Sequence, residues 1–121
     1  MVRSLFLGAF ILAAFASASG QWELQESHST ANLRGVHAVN GQVAWTSGTE
    51  GTALRTEDGG SHWQKCAIPP EAEKLDLRGI WAWDANTALV MSSGPGEQSR
   101  IYKTTDACSH WIEETRNSEK D

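Results

Sequence analysis

The sequence has few basic residues and no run of them. Its 121 residues include ten Lys and Arg against fifteen Asp and Glu, which gives a formal net charge of −5. Affinity for nucleic acids comes mainly from neutralising phosphates with Lys and Arg, so this balance excludes a polymerase, a nuclease or a repressor. Apolar residues are also scarce beyond the first twenty positions, which is low for a self-sufficient core unless the fold is a sheet protein rich in Trp and Gly.

A long apolar run is missing as well. The longest one, residues 5–15, is shorter than the roughly 20 residues that a membrane-spanning helix needs. It follows Arg3 and precedes the small residues 16–18, which is the arrangement of a secretory signal peptide over residues 1–20. No cysteine stands close behind it, which argues against a lipid anchor. The sequence therefore predicts a secreted or periplasmic protein.

Cysteine is limited to Cys66 and Cys108. An oxidising compartment permits a disulfide between them, but the sequence leaves open whether the two sulfurs meet. His62 and His110 complete the composition of a zinc site, yet the tight Cys-x-x-Cys and His-x-x-x-His spacings of such sites do not occur. We predict no metal site and no cofactor.

The chain does contain an internal repeat. Residues 33–40 recur 44 positions later at residues 77–84, and residues 54–63 recur 48 positions later at residues 102–111. The extra residues fall in the Gly- and Pro-containing loop 93–99, where an insertion costs little. The repeat period therefore defines two units that differ by one loop insertion.

A partial third copy precedes these two units. Residues 22–25 resemble residues 63–66 and 111–114, because each of these segments begins with Trp. The repeat therefore predicts that the chain begins with the last strand of a unit, over residues 21–26.

Apolar residues in each unit alternate or form short runs between Gly, Asn and Asp, which is the pattern of β-strands. The two units extend over residues 33–66 and 77–114, and residues 70–74 between them are expected to form a turn. The predicted strands are 33–39, 42–47, 52–56 and 62–66 in the first unit, and 77–83, 87–92, 100–104 and 110–114 in the second. This spacing predicts an all-β fold of about two four-stranded antiparallel blades of a β-propeller, in an incomplete ring.

Two segments, residues 56–63 and 104–111, match the Asp-box pattern Ser/Thr-x-Asp-x-Gly-x-x-Trp, the second with Cys108 in place of Gly. In such a turn the Asp accepts backbone hydrogen bonds, the Gly adopts a positive φ and the Trp packs between blades. We expect both Trp side chains to be buried, and the second turn to be adjusted or slightly strained at Cys108. The residues with this predicted structural role are Thr56, Asp58, Gly60, Trp63, Thr104, Asp106 and Trp111.

These two segments, with the Leu-Arg-Gly segments at residues 33–35 and 77–79, resemble the Asp-box (bacterial neuraminidase repeat) propellers. The chain is most similar to exported bacterial proteins of the photosystem II assembly and stability factor type. The resemblance implies a propeller of several blades that acts as a non-catalytic platform for protein binding or assembly. We expect the chain to be a fragment of a longer propeller, or several copies to assemble a ring.

Asp-box propellers also include sialidases, so part of an exported glycoside hydrolase is the alternative function. By resemblance, such an enzyme uses three Arg, a Tyr activated by Glu, and an Asp acid. The single Tyr of this chain, Tyr102, lies at a predicted strand position, and the Phe-Arg-Ile-Pro motif of sialidases is absent. We therefore predict no catalytic residue in this chain, and the catalytic blades of such an enzyme would be missing from it.

Arg34 and Arg78 hold the same position in the two units, each before a glycine at the start of a strand. Each could pair with a carboxylate such as Asp76, or the two could form a basic patch that grips an acidic peptide, a chain terminus or a partner protein. They are the candidate partner-binding residues. The unpartnered faces of the outer blades also predict self-association.

Overall fold

The computed structural model describes residues 22–118, so the predicted signal peptide lies outside the described residues. Eight strands form two antiparallel sheets of four strands each, in chain order. Blade 1 contains β1 (Leu33–Ala38), β2 (Ala44–Gly48), β3 (Ala53–Thr56) and β4 (Gln64–Lys65). Blade 2 contains β5 (Asp76–Ala82), β6 (Ala88–Ser93), β7 (Arg100–Thr104) and β8 (Ile112–Arg116). The all-β prediction is confirmed, and each predicted strand boundary lies within about two residues of the observed one.

The loop inserted in the second unit contains a short 3₁₀ helix, Gly96–Gln98. Within residues 22–118 this is the sole helical element, and no helix there has the length and apolar character needed to cross a membrane. The insertion leaves the sheet intact, because β6 and β7 pair without a register shift.

Pairing across the strands assigns each side chain to one of two faces of its blade, since cross-strand neighbours project to the same side. The rear face carries Val36, Thr46 and Leu54 in blade 1, and Ile80, Val90 and Tyr102 in blade 2. The front face carries His37, Trp45 and Arg55 in blade 1, and Trp81, Leu89 and Lys103 in blade 2.

The front face of blade 1 packs against the rear face of blade 2. Trp45 Nε1 donates to the carbonyl of Asp84 at 3.1 Å, and Arg55 Nε donates to the carbonyl of Ala85 at 3.0 Å. Burial of each large apolar side chain here contributes about 1.5–3 kcal/mol. The core consists of Trp45, Ala53, Cys66, Ala72, Leu75, Leu77, Ala82, Ala88, Val90, Tyr102, Cys108 and Trp111.

The first strands of the two blades approach each other closely at a pair of glycines. A Cβ atom placed on Gly35 would lie 3.0 Å from the carbonyl oxygen of Arg78 and 3.2 Å from Cα of Gly79. A side chain at position 35 would therefore push β5 away from β1. The repeated Leu-Arg-Gly segment places a glycine where this contact requires one.

The connection between the blades, residues 66–75, is attached to blade 2. Cys66 and Cys108 form a disulfide with their Cα atoms 5.2 Å apart, which answers the question that the sequence left open. Trp111 Nε1 donates to the carbonyl of Ala67 at 2.8 Å. The expected turn at residues 70–74 is present, and its Pro70 carbonyl accepts a hydrogen bond from Tyr102 Oη at 2.8 Å.

The strand predicted at residues 21–26 is not formed, because residues 22–31 have no regular secondary structure. Both sheets of the described chain already have four strands, and the side chains of Trp22 and Leu24 are fully exposed. A single extended segment without a sheet edge beside it gains too few hydrogen bonds to form a strand. We call residues 22–31 the leading segment.

Burial differs between the two Asp-box tryptophans. Trp111 is 5% exposed, as expected, whereas Trp63 is only partly buried and has one sheet beside it, so the prediction of burial between sheets is wrong for Trp63. Trp111 is covered by the connection between the blades, to which its indole N–H is bonded. Trp63 lies at the rear face of blade 1, where the leading segment is present but no second sheet is.

Candidate functional site

The two Asp-box segments form turns with the same hydrogen bonds. In the first turn, Asp58 Oδ1 accepts from the backbone N–H of His62 at 2.9 Å, while Asp58 Oδ2 lies 2.7 Å from His62 Nδ1. Thr56 Oγ1 donates to Asp58 Oδ1 at 2.8 Å and accepts from the backbone N–H of Gly60 at 3.0 Å. The second turn repeats these contacts at 2.8–3.0 Å through Thr104, Asp106, Cys108 and His110.

Cys108 adopts the left-handed conformation that the turn needs. Its φ is 60° and that of Ala107 is 57°, where the first turn has Gly59 and Gly60 at 70° and 93°. Two residues with a Cβ therefore occupy a region that favours glycine, at a cost on the order of 1 kcal/mol each. The expectation of some strain at Cys108 agrees with this backbone conformation.

These hydrogen bonds also decide what the Asp-box carboxyl groups can do. The backbone N–H of His62 is the main cause that lowers the pKa of Asp58 to about 2, and the backbone N–H of His110 does the same for Asp106. A general acid needs a pKa near the working pH. Neither carboxyl group suits that role near neutral pH, and the hydrogen bonds of both are made within their own turns.

Acid should weaken both turns. Each carboxyl has a pKa of about 2 in the folded chain and about 3.8 in the unfolded chain, so its contribution to stability is complete above pH 4 and falls as the pH approaches 2. We expect the melting temperature to drop over this window, and the drop to be smaller in the variant Asp58→Asn with Asp106→Asn. Thermal unfolding by circular dichroism between pH 5 and pH 2 measures it. The control variant Glu23→Gln with Glu114→Gln should retain the full drop, and an equal reduction in both variants would contradict the prediction.

Arg34 and Arg78 meet at one carboxylate. Arg78 Nε donates to Asp76 Oδ2 at 3.0 Å, and Arg34 Nε lies 3.4 Å from Asp76 Oδ1. Oδ1 is buried and accepts no hydrogen bond, although it is close enough to Arg34 for an ion pair. Both arginine side chains remain substantially exposed, 40% of Arg34 and 59% of Arg78. The pairing with Asp76 is therefore present, and in it two positive charges share one negative charge.

In the other arginine cluster, at blade 2, the positive and negative charges are equal in number. Arg116 donates to Glu113 at 2.7 Å and to Glu71 at 2.9 Å, and Arg100 lies within 4.0 Å of both carboxylates. Arg116 lowers the pKa of Glu71 through its hydrogen bond. Here two arginines meet two glutamates, and Arg100 is nearly buried. Each arginine of this cluster therefore has carboxylates of its own to pair with, whereas the two arginines at Asp76 share one.

A groove of about 350 Å³ adjoins Arg34, between the leading segment and the rear face of blade 1. Apolar atoms of Leu33, Val36 and Trp63 line it, with Arg34 among the polar residues. The sequence did not predict this groove. The partly buried indole of Trp63 and the exposed side chain of Arg34 provide an apolar surface next to a cationic group.

The tyrosine and the two cysteines of the described residues have structural partners. Tyr102 is buried and its hydroxyl donates to a backbone carbonyl, and both cysteines are oxidised. Within residues 22–118, no three side chains of His, Cys, Asp or Glu converge as a metal site would require.

Comparison with solved structures identifies the same architecture elsewhere. A structure described as YCF48 bound to D1 peptide matches this chain with a TM-score of 0.65 at 18% sequence identity. The match covers 82% of this chain and 31% of that chain. No family model and no curated protein sequence matches the chain. At this identity the match establishes the fold, so the two sheets are blades of a β-propeller, and the chain spans about a third of the length of that neighbour.

Proposed function

We propose that this chain belongs to an exported, non-catalytic propeller of the Asp-box type that binds a protein or peptide partner through Arg34 and Arg78. The observation that carries the proposal is the shared carboxylate of Asp76, because it leaves one uncompensated positive charge on two exposed guanidinium groups. Guanidinium groups bind carboxylates in a planar, often bidentate geometry. The preferred partner is therefore an acidic peptide segment or a carboxyl terminus.

The position of the two arginines supports this proposal, since both side chains are exposed. Each arginine precedes the glycine at which β1 and β5 touch, so the two blades bring their arginines to the same end of neighbouring first strands. Similarity to a propeller whose structure contains a bound peptide supports a peptide partner. The disulfide supports export, since disulfides persist in oxidising compartments.

Asp76 should compete with the partner for both arginines. A partner carboxylate must share or displace this internal carboxylate, so Asp76→Asn should strengthen the binding of an acidic peptide. The substitution Arg34→Gln with Arg78→Gln should weaken it by about tenfold and flatten its salt dependence. Fluorescence anisotropy with a labelled poly-Glu peptide, and with its poly-Gln counterpart, measures both effects.

A control variant of equal net charge distinguishes binding at Arg34 and Arg78 from a general effect of the protein's charge. Lys65→Gln with Lys103→Gln removes the same two charges from β4 and β7, neither of which pairs with β5, the strand that carries Asp76. Equal weakening in both double variants, or weaker binding by Asp76→Asn, would overturn the proposal. The melting temperature of the lysine variant should stay close to that of the parent chain, because exposed charges contribute about 0–1 kcal/mol, and the arginine and Asp76 variants are compared with it below their own melting temperatures.

Nothing within residues 22–118 favours the glycoside hydrolase alternative. A sialidase of this type needs an Asp acid and a Tyr nucleophile that both reach the sugar, while Asp58 and Asp106 are held in turns and Tyr102 is buried. Release of a fluorescent leaving group from a sialoside, abolished by one carboxylate substitution, would favour the alternative.

A further inference from the structure

The contact between blade 1 and blade 2 shows how a second contact of the same kind could form. Its donors lie on the front face of blade 1, where Trp45 and Arg55 reach the carbonyls of Asp84 and Ala85 in the loop between β5 and β6. By the repeat, Leu89 and Lys103 hold the matching positions on the front face of blade 2. That face has no sheet against it within the described chain.

The front face of blade 2 is more apolar than the one that is already covered. Met91 stands where blade 1 has Ser47, and Ile112 stands where blade 1 has Gln64. Met91 is 52% exposed and Ile112 is 67% exposed. An apolar depression of about 250 Å³ lies between Trp81, Met91 and Ile101. Such a surface favours burial against another sheet.

The rear face of blade 1 has no second sheet against it either, although Thr46 and Leu54 on it are buried and the leading segment lies over part of it. By the repeat, Val36 and Thr46 match Ile80 and Val90, which face blade 1 in the observed contact. Val36 is 74% exposed, and Trp63 is half-buried at the groove described above. One chain thus carries both halves of the contact that already joins its own blades.

The leading segment lies where a preceding blade would place its last strand. A Cβ atom on Gly60 would lie 2.0 Å from Gln25 Oε1, and Gln25 Nε2 donates to the carbonyl of Gly59 at 3.1 Å. By the repeat, Gln25 matches Cys66, and Gly60 matches Cys108. The contact of Gln25 with Gly60 is therefore the counterpart of the disulfide that links blade 1 to blade 2.

We propose that two copies of this chain associate head to tail, with the front face of blade 2 of one copy on the rear face of blade 1 of the next. Lys103 then takes the place of Arg55 and reaches the carbonyl that matches Ala85, which is Gly41 of the second copy. The leading segment competes with this association, since it holds the place that β8 of the incoming copy must take. This proposal is independent of the peptide site at Asp76.

Sedimentation velocity over a range of concentrations tests the surface. We expect reversible association of the oxidised chain, weakened at least about tenfold by Met91→Asp. The control Ile68→Asp changes another exposed apolar residue, in the connection between the blades, and should associate like the parent chain. A parent chain that stays monomeric, or association that Met91→Asp leaves unchanged, would overturn the proposal.

Two cysteine experiments test the register. A Gln25→Cys, Gly60→Cys variant fastens the leading segment to blade 1 by a second disulfide and should be monomeric. Mixing a Glu114→Cys chain with a Gly60→Cys chain should give a covalent heterodimer, because positions 114 and 60 match Cys66 and Cys108. A Lys74→Cys chain in place of Glu114→Cys is the control, and equal yields from both would reject the head-to-tail register.

Discussion

Replacing Cys66 and Cys108 together by alanine is expected to lower the free energy of unfolding by about 4 kcal/mol. The disulfide closes a loop of 42 residues, and a cross-link of that span restricts the unfolded chain strongly. It also attaches the connection between the blades to the Asp-box turn of blade 2. Urea unfolding of the oxidised parent chain and of the double variant measures the loss.

A second double variant separates the covalent link from the packing around it. Cys66→Gln with Cys108→Gly reproduces the pair found at Gln25 and Gly60, where a side chain lies against a glycine without a bond. Glycine also relieves the positive φ of Cys108, so this variant should lose less stability than the alanine pair. If both variants unfold at the urea midpoint of the parent chain, the disulfide does not stabilise the contact between the blades.

Truncation of Trp111 to alanine should cost about 3–5 kcal/mol, because it leaves a cavity beneath the connection between the blades. The equivalent truncation of Trp63 should cost less than about 2 kcal/mol, since its ring already contacts solvent. The substitution Trp111→Phe removes the donor to the Ala67 carbonyl, a hydrogen bond worth about 1 kcal/mol, together with part of the ring, so its cost should lie between about 1 kcal/mol and that of the full truncation.

The urea midpoints of the single variants measure how the losses of stability at Trp111 and Trp63 compare. Trp22→Ala is the control, because the Trp22 side chain is fully exposed and its loss should change the unfolding free energy by less than about 0.5 kcal/mol. Equal losses at Trp63 and Trp111 would show that burial does not explain the difference. A loss at Trp111 as small as that at Trp22 would remove this residue from the core.

The fold could be predicted from the sequence because the repeated segments mark equivalent positions in the two units. Gly35 and Gly79, like Trp63 and Trp111, recur at matching places, and local alternation then fixed each strand to within about two residues. Burial of Trp63 could not be predicted in this way. It depends on a neighbouring sheet, and a repeat pattern does not state which neighbours are present.

The site required contacts that the sequence could not supply. The repeat identifies Arg34 and Arg78 as equivalent residues. The sequence allows either an ion pair with Asp76 or a basic patch that binds a partner. One carboxylate can pair with both arginines only because β1 and β5 lie close together, and the sequence does not give that distance. The disulfide depends in the same way on the relative placement of two sheets, since 42 residues of sequence separation do not determine a distance.

The glycine contact between β1 and β5 has a geometric consequence for any ring built from this unit. Blades that touch at their first strands and spread at their outer strands behave as wedges, and the wedge angle decides how many of them complete a circle. A residue larger than Gly at position 35 would hold the narrow edges apart and make the wedge more nearly parallel-sided. Curvature would fall, and closure would take more blades around a wider central channel.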